Sequence, residues 1–215
     1  MKKKYKLLII IILLIALSLA IYYIFFNKKK EIDYQEPVIE VTNQIDDYGY
    51  TLDDRDTELF KEKFEKLKTL LNEDDYDKEE YIKLVSELFI IDFYTIDNKI
   101  SKYDVGGLEY VYSGAVESLK GMAINTIYKT VENNLDKTRK QELPEVSDIE
   151  VNDISKYEYI LPDEDENDYI DAEKANGYRV KLSWDYVKDY GYDTSGTLVL
   201  IPDGEFKYGV VYFKP

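Results

Sequence analysis

Uncharged residues fill positions 7–26 of the chain, mostly apolar ones, and lysines stand on both sides of them. Twenty residues rise about 30 Å as a helix, which matches the apolar core of a bilayer. The pattern predicts one transmembrane helix in contact with membrane lipid. A cleavable signal peptide that ends at Ser18-Leu19-Ala20 is the alternative. The apolar run continues for six residues beyond that site, which favours an uncleaved anchor.

The next segments show apolar residues at helical spacing. Residues 27–50 are predicted to be a tether with a short helix, since Pro37 stands before Val38, Val41 and Ile45. Three further helices are predicted over residues 52–71, 75–94 and 108–134. In the second of these, Asp77 and Glu80 have the spacing of a capping box.

After residue 148 the apolar period changes from 3.6 to 2, which is typical of strands with one wet face. The predicted strands are residues 149–161, 178–186, 196–201 and 206–213. The alternation slips at Asn152-Asp153, which predicts a bulge, and Pro202-Asp203-Gly204-Glu205 predicts a tight hairpin turn. Helices followed by a strand meander indicate an α+β domain over residues 51–215. We expect about three helices packed on a curved, four-stranded antiparallel sheet.

Charge indicates where this domain lies. Seven of the 28 basic residues and none of the 44 acidic ones precede residue 31, so residues 31–215 carry a net charge of −23. Such a domain would be repelled by an anionic cytoplasmic leaflet, and it lacks the basic face that nucleic acid requires. Four lysines before the apolar run against three after it also favour a cytoplasmic end at residues 1–6. We therefore expect a single-pass membrane protein with its C-terminal domain outside the cytoplasm.

Composition excludes several chemistries. The chain has no His and no Cys, which rules out Ser-His-Asp triads, cysteine nucleophiles and His/Cys zinc sites. No serine is followed by lysine three residues later, and the phosphate-binding glycine motifs are missing. Carboxylates remain, but among 44 acidic residues the candidate pairs for a glycosidase are too many to single one out.

An acidic loop offers one candidate metal site. Asp163, Asp165, Asn167 and Asp171 occupy positions 1, 3, 5 and 9 of an EF-hand-like loop. The diagnostic positions 6 and 12 are Asp168 and Lys174, where Gly and Glu are expected. A solvated loop is the main interpretation, and a weak calcium site of another type is the alternative. No other cofactor is expected.

Residues 88–112 are the most distinctive stretch, LFIIDFYTIDNKISKYDVGGLEYVY. Leu88 to Tyr94 would complete the second helix in the core, and Gly106-Gly107 would let the backbone turn into the next one. The stretch is therefore predicted to be an elbow. The alternative is a partner-binding groove, open to a peptide or another subunit, that is lined by Tyr94, Tyr103, Tyr110 and Tyr112.

Four segments are similar to those of uncharacterised single-pass envelope proteins of low-GC Gram-positive bacteria. They are GYTLDDRDTELFKEKFEKLK, the stretch from residue 88 to 112, QELPEV and LSWDYVKDYGYD. The order of helices and strands also resembles the cone-shaped, nuclear-transport-factor-two-like domain of bitopic type IV secretion and conjugation scaffold proteins. The first resemblance implies a location and an architecture, but no activity. Some enzymes of the cone-shaped superfamily pair an Asp base with Tyr, so the second resemblance implies Asp92, beside Phe93 and Tyr94, as the candidate base. A structural carboxylate at a helix end that bonds nearby backbone or Tyr is the competing interpretation.

Three functions follow as expectations. The first is a non-enzymatic, membrane-anchored extracytoplasmic interaction or scaffold module that binds another envelope protein or itself. The alternative is an extracytoplasmic domain that binds a ligand or weakly binds calcium. The third is a carboxylate-dependent hydrolase that uses Asp92.

Overall fold

Strands and helices were assigned in a computed structural model, which describes Ser18, residues 39–161 and residues 174–215. The strands are β1 Val41–Ile45, β2 Tyr50–Asp53, β3 Val146–Ile160, β4 Lys174–Tyr186, β5 Ser195–Asp203 and β6 Lys207–Lys214. The helices are α1 Glu58–Leu71, α2 Lys78–Tyr94 and α3 Val116–Asn125. Ile39–Pro215 form one compact unit.

The last four strands form one antiparallel sheet in chain order, as predicted. The register of β3 against β4 shifts between Val151 and Asp153, which confirms the bulge. The β5–β6 turn is also confirmed, since Asp203 pairs with Lys207 and Gly204 has a φ of +82°. Glycine adopts this left-handed conformation without the steric cost that a Cβ imposes.

Side-chain caps fix where the first two helices begin. The hydroxyl of Thr57 accepts a hydrogen bond from the Phe60 N–H, and Asp77 accepts from the N–H of Glu79 at 2.8 Å. α2 is buried on nearly every side, because it contacts α1 as well as β3 and β4. Val180, Leu182 and Trp184 of β4 face it from the sheet. The α+β class, with three helices on a four-stranded antiparallel sheet, is thus confirmed for the described residues.

The predicted short helix around Val41 and Ile45 is wrong, because these residues form strand β1. β1 pairs with β2 in a separate two-stranded hairpin, and a 3-10 turn at Asp46–Tyr48 joins them. The predicted first helix also began too early, since Leu52 lies in β2. Gly49 provides the positive φ of +66° that closes the turn, so the local sequence favours a hairpin over a helix here.

The predicted long helix over residues 108–134 is wrong as well. It is divided into two 3-10 turns, Leu108–Tyr110 and Ser113–Ala115, followed by the short helix α3. Val111 pairs with Val210 of β6 in a parallel bridge, and the Tyr112 N–H donates to the Val210 carbonyl at 2.9 Å. This pairing needs extended backbone, so the tertiary contact overrides the helical pattern.

Among the described residues, no helix is long and apolar enough to cross a membrane. The predicted span at residues 7–26 falls outside them, apart from Ser18. The tether residues Pro37 and Val38 also lie outside the described ranges.

Candidate functional site

Asp92, near the end of α2, bonds two residues of the elbow that follows this helix. One carboxylate oxygen forms an ion pair with Lys99, and the other accepts from the Gly107 N–H at 2.5 Å. Gly107 has a φ of +76°, and a Cβ on Gly106 would lie 2.2 Å from the Asp92 carbonyl oxygen. The predicted elbow is therefore present, and both glycines are sterically required.

The four predicted partner-binding tyrosines do not share one surface. Tyr94 and Tyr110 are completely buried. Tyr94 packs against Trp184 with ring centroids 4.9 Å apart, and Tyr110 stacks on Tyr50 at 4.7 Å. The open groove is wrong for these two, because aromatic side chains at this spacing fill the core. Tyr103 is 39% exposed and Tyr112 is half-buried, so only these two are accessible to a partner.

The predicted calcium ligands Asp163, Asp165, Asn167 and Asp171 lie outside the described residues. Within the described ranges, no group of His, Cys, Asp or Glu side chains is arranged to hold a metal ion. The calcium hypothesis therefore stays a prediction.

A polar cleft of about 380 Å³ lies where the β1–β2 hairpin, the start of α1 and the elbow meet. Its lining contains five carboxylates and two cations, namely Asp53, Asp56, Asp92, Asp104, Glu109, Arg55 and Lys99. Arg55 bonds Asp104 at 2.6 Å and Asp53 at 2.9 Å. Lys99 pairs with Asp92, so both cations of the cleft are paired with carboxylates of the cleft. The two Arg55 pairs connect the β1–β2 hairpin to the elbow.

Asp56 is a carboxylate of the cleft that the sequence does not identify as a candidate functional residue. Burial raises the pKa of Asp56 to about 7, and the carboxylates of Asp92 and Asp53 add to the rise. The Asp53 N–H, which donates to Asp56 at 2.7 Å, and the Lys99 cation act in the opposite direction. A carboxyl group that titrates near neutral pH has the property of a general acid or base. Its segment, the acid-rich DDRD at residues 53–56, falls within the helix predicted over residues 52–71, so the sequence does not single Asp56 out.

The sheet has a second apolar cluster on the face that points away from the helices. Leu198 and Leu200 belong to the main core, so the alternating residues Val199 and Ile201 point to the opposite side of β5. Both are nevertheless buried, with 3% and 1% of their surface exposed. Of the residues described, neither belongs to the main core cluster, so another set of side chains must cover them.

Tyrosines and an arginine are the neighbours of these two residues on that side of the sheet. Arg179 and Tyr212 flank Val199 in one row of the register, and Tyr212 is 45% exposed. The Arg179 guanidinium lies 3.9 Å from the centroid of the Tyr157 ring. Burial raises the pKa of Tyr159, and Tyr157 and Tyr212 lie close enough to raise it further. We call these residues the outer tyrosine face: Tyr157, Tyr159, Arg179, Val199, Ile201 and Tyr212.

Comparisons with models of protein families, with curated proteins and with solved structures find no match to this chain.

Proposed function

We propose that this protein is a membrane-anchored, extracytoplasmic interaction or scaffold module of the bacterial envelope, and that it binds through the outer tyrosine face. One observation carries the proposal. Val199 and Ile201 are buried outside the main core, and Arg179 and Tyr212 flank Val199 in the strand register. A sheet face of this kind offers a partner exposed tyrosine rings and hydroxyls, above all those of Tyr212, on a base of buried apolar side chains.

The composition of the face supports binding to protein. Tyr and Arg are enriched among the residues that dominate interface energies, because each offers a large contact area with a polar end. Arg179 is already held against Tyr157, so little side-chain freedom remains to be lost on association. The strands fix the spacing of these side chains, which favours a preformed surface.

The proposed location at the membrane is inferred from the sequence. The apolar residues 7–26 are long enough for one span, and the acidic domain is disfavoured next to an anionic leaflet. The predicted tether is short, so the domain would work near the membrane, where other envelope proteins are within reach.

The test is co-purification of partners with the full-length chain from solubilised membranes. We expect Tyr159→Ser combined with Tyr212→Ser to remove the captured partner while the melting temperature of the domain changes little. Tyr103→Ser is the matched control, because Tyr103 is also exposed but belongs to the elbow. An unchanged set of partners in the double variant, or an equal loss with Tyr103→Ser, would contradict the assignment.

Ligand binding in the polar cleft is the second candidate function, and the near-neutral pKa of Asp56 is the observation that favours it. Ligand-detected NMR with a library of small polar compounds, at pH 6 and pH 8, tests this candidate. A compound that binds the natural chain and fails to bind Asp56→Asn would support it. A library without any such compound would count against it.

A further inference from the structure

Polar contacts hold the end of β2 and the residues that follow it against the elbow. We call residues 53–56, with the sequence DDRD, the DDRD segment. Arg55 of this segment pairs with Asp104 of the elbow at 2.6 Å, and the side-chain amide of Asn98 donates to the Arg55 carbonyl at 3.2 Å. The attachment of the DDRD segment to the elbow therefore depends on charges and hydrogen bonds beside the polar cleft.

The rest of the β1–β2 hairpin has attachments of its own. Tyr50 and Leu52 lie in the main core, and Tyr50 stacks on Tyr110 with ring centroids 4.7 Å apart. The Thr51 hydroxyl and N–H donate to the Glu109 carboxylate at 2.7 and 3.0 Å. The DDRD segment can therefore separate from the elbow by a local opening that leaves the hairpin and the core in place.

The cleft beside the DDRD segment contains more acids than cations. Five ionised carboxylates against two cations would give it a net charge of −3. Five of these seven groups form ion pairs with one another and keep only 4–19% of their side-chain surface exposed, namely Asp53, Arg55, Asp92, Lys99 and Asp104. Asp56 forms no ion pair with a described residue, so its ionisation adds a negative charge that no cation of the cleft is left to pair with.

We propose that the DDRD segment is a proton-dependent latch, closed on the elbow while Asp56 carries a proton and open once Asp56 is ionised. Opening returns the Asp56 carboxylate to water and separates it from the other acids of the cleft, which relieves both the cost of burial and the repulsion. This inference goes beyond the proposed function, since the outer tyrosine face takes no part in it.

Charged groups surround Asp56 in the cleft and along α1. They are Asp53 of β2, Arg55 of the DDRD segment, Asp92 of α2, Lys99 and Asp104 of the elbow, Glu109 of the 3-10 turn and Lys61 of α1. Burial is the largest influence and raises the pKa of Asp56 from 3.8 to about 7, Asp92 and Asp53 add to the rise, and Lys99 opposes it. The latch is therefore tightest near pH 4 and loosens as the pH rises to about 7, where the closed form also gives up its proton.

Hydrogen exchange of the full-length chain in detergent, followed by mass spectrometry and corrected for the intrinsic effect of pH on exchange, measures the opening. Peptides that contain residues 53–57 report the DDRD segment, and peptides from residues 178–183 of β4 report the core. We expect the DDRD segment to exchange faster than β4 at every pH, because it opens without unfolding the core. We also expect its protection to fall by at least about tenfold between pH 5 and pH 8.

Asp56→Asn removes the ionisable group, so the fall in protection should shrink to less than about threefold. Asp54→Asn is the matched control, an exposed acid of the same segment, and it should keep the whole fall. A DDRD segment that exchanges only together with β4, or a fall of equal size in Asp56→Asn and in the natural chain, would overturn the latch. If Asp56→Asn does not fold, the natural chain decides. A fall that levels off near pH 7 supports the latch, and equal protection at pH 5 and pH 8 overturns it.

Discussion

Tyr128 hydrogen-bonds the end of α2 through the Phe93 carbonyl, to which its hydroxyl donates at 2.7 Å. The same hydroxyl accepts from the Gly106 N–H at 3.1 Å. One buried side chain thus joins the last turn of the core helix to the elbow. These two bonds connect the glycine pair, Gly106 and Gly107, to the C-terminal end of α2, which Asp92 also does.

Tyr128→Phe should lower the free energy of unfolding by about 1–3 kcal/mol, because it leaves a buried carbonyl and a buried N–H without a partner. Tyr110→Phe is the matched control. The Tyr110 hydroxyl is also fully buried, but it bonds no backbone group and lies beside the Glu109 carboxylate, which already accepts from Thr51. Removing the Tyr110 hydroxyl should change the free energy of unfolding by less than about 0.5 kcal/mol. Urea unfolding of both variants measures this, and equal losses would contradict the assignment.

Asp56 should make the domain less stable as pH rises from about 4 to about 7. In this window the folded state keeps a proton that the unfolded state releases, because burial raises the pKa of Asp56 from 3.8 to about 7. Asp56→Asn should therefore stabilise the domain at pH 8 by on the order of 1–2 kcal/mol, less than the full shift implies because the group keeps some contact with water. The gain should disappear toward pH 4.

Thermal melts across this pH range, with Asp54→Asn as the exposed control, measure the effect of Asp56. A gain from Asp56→Asn that is the same at pH 4 and pH 8 would show that its protonation is not the cause.

An ion pair joins the first two helices. Lys63 of α1 lies 2.8 Å from Glu87 of α2, and only 1% of Glu87 is exposed. Lys63→Met should destabilise the domain by about 3–5 kcal/mol, because it leaves a buried charge without compensation. Adding Glu87→Met should recover most of that loss. If the double variant is as unstable as the sum of both single ones, the pair is not coupled as the distance implies.

Gly209 should not tolerate a side chain. A Cβ there would lie 2.4 Å from the Cα of Tyr112, where the 3-10 segment crosses β6. We expect Gly209→Ala to lower stability by more than about 2 kcal/mol and to release the Val111–Val210 bridge, since both contacts are backbone. Gly121→Ala is the control. It lies in α3 with nothing within 4 Å, so it should raise stability by about 0.5–1 kcal/mol. Hydrogen exchange at the Tyr112 amide reports the local effect.

The sequence predicted those elements whose signal is local. The strand alternation, the slip at Asn152-Asp153 and the β5–β6 turn each depend on neighbouring residues, and all three are confirmed. The Asp77 cap belongs to the same group, because it depends on residues two and three positions away.

The error over residues 108–134 arises from a contact between distant residues. Val111 pairs with Val210, 99 positions later in the chain, and nothing within residues 108–134 reveals this. The outer tyrosine face was missed for a related reason. β5 is apolar on both sides, so its alternation does not show that Val199 and Ile201 need a cover of their own. Which of the many tyrosines provide that cover depends on the register between strands.

The most direct test places a photo-crosslinking amino acid at Tyr212 in the full-length chain in intact cells, with the same substitution at Tyr103 as control. The account predicts that position 212 captures a specific protein, and that the yield of this adduct falls sharply when Tyr159→Ser is added. Capture at position 103 alone, or equal and unspecific capture at both positions, would contradict the claim that the outer tyrosine face is the surface through which this protein works.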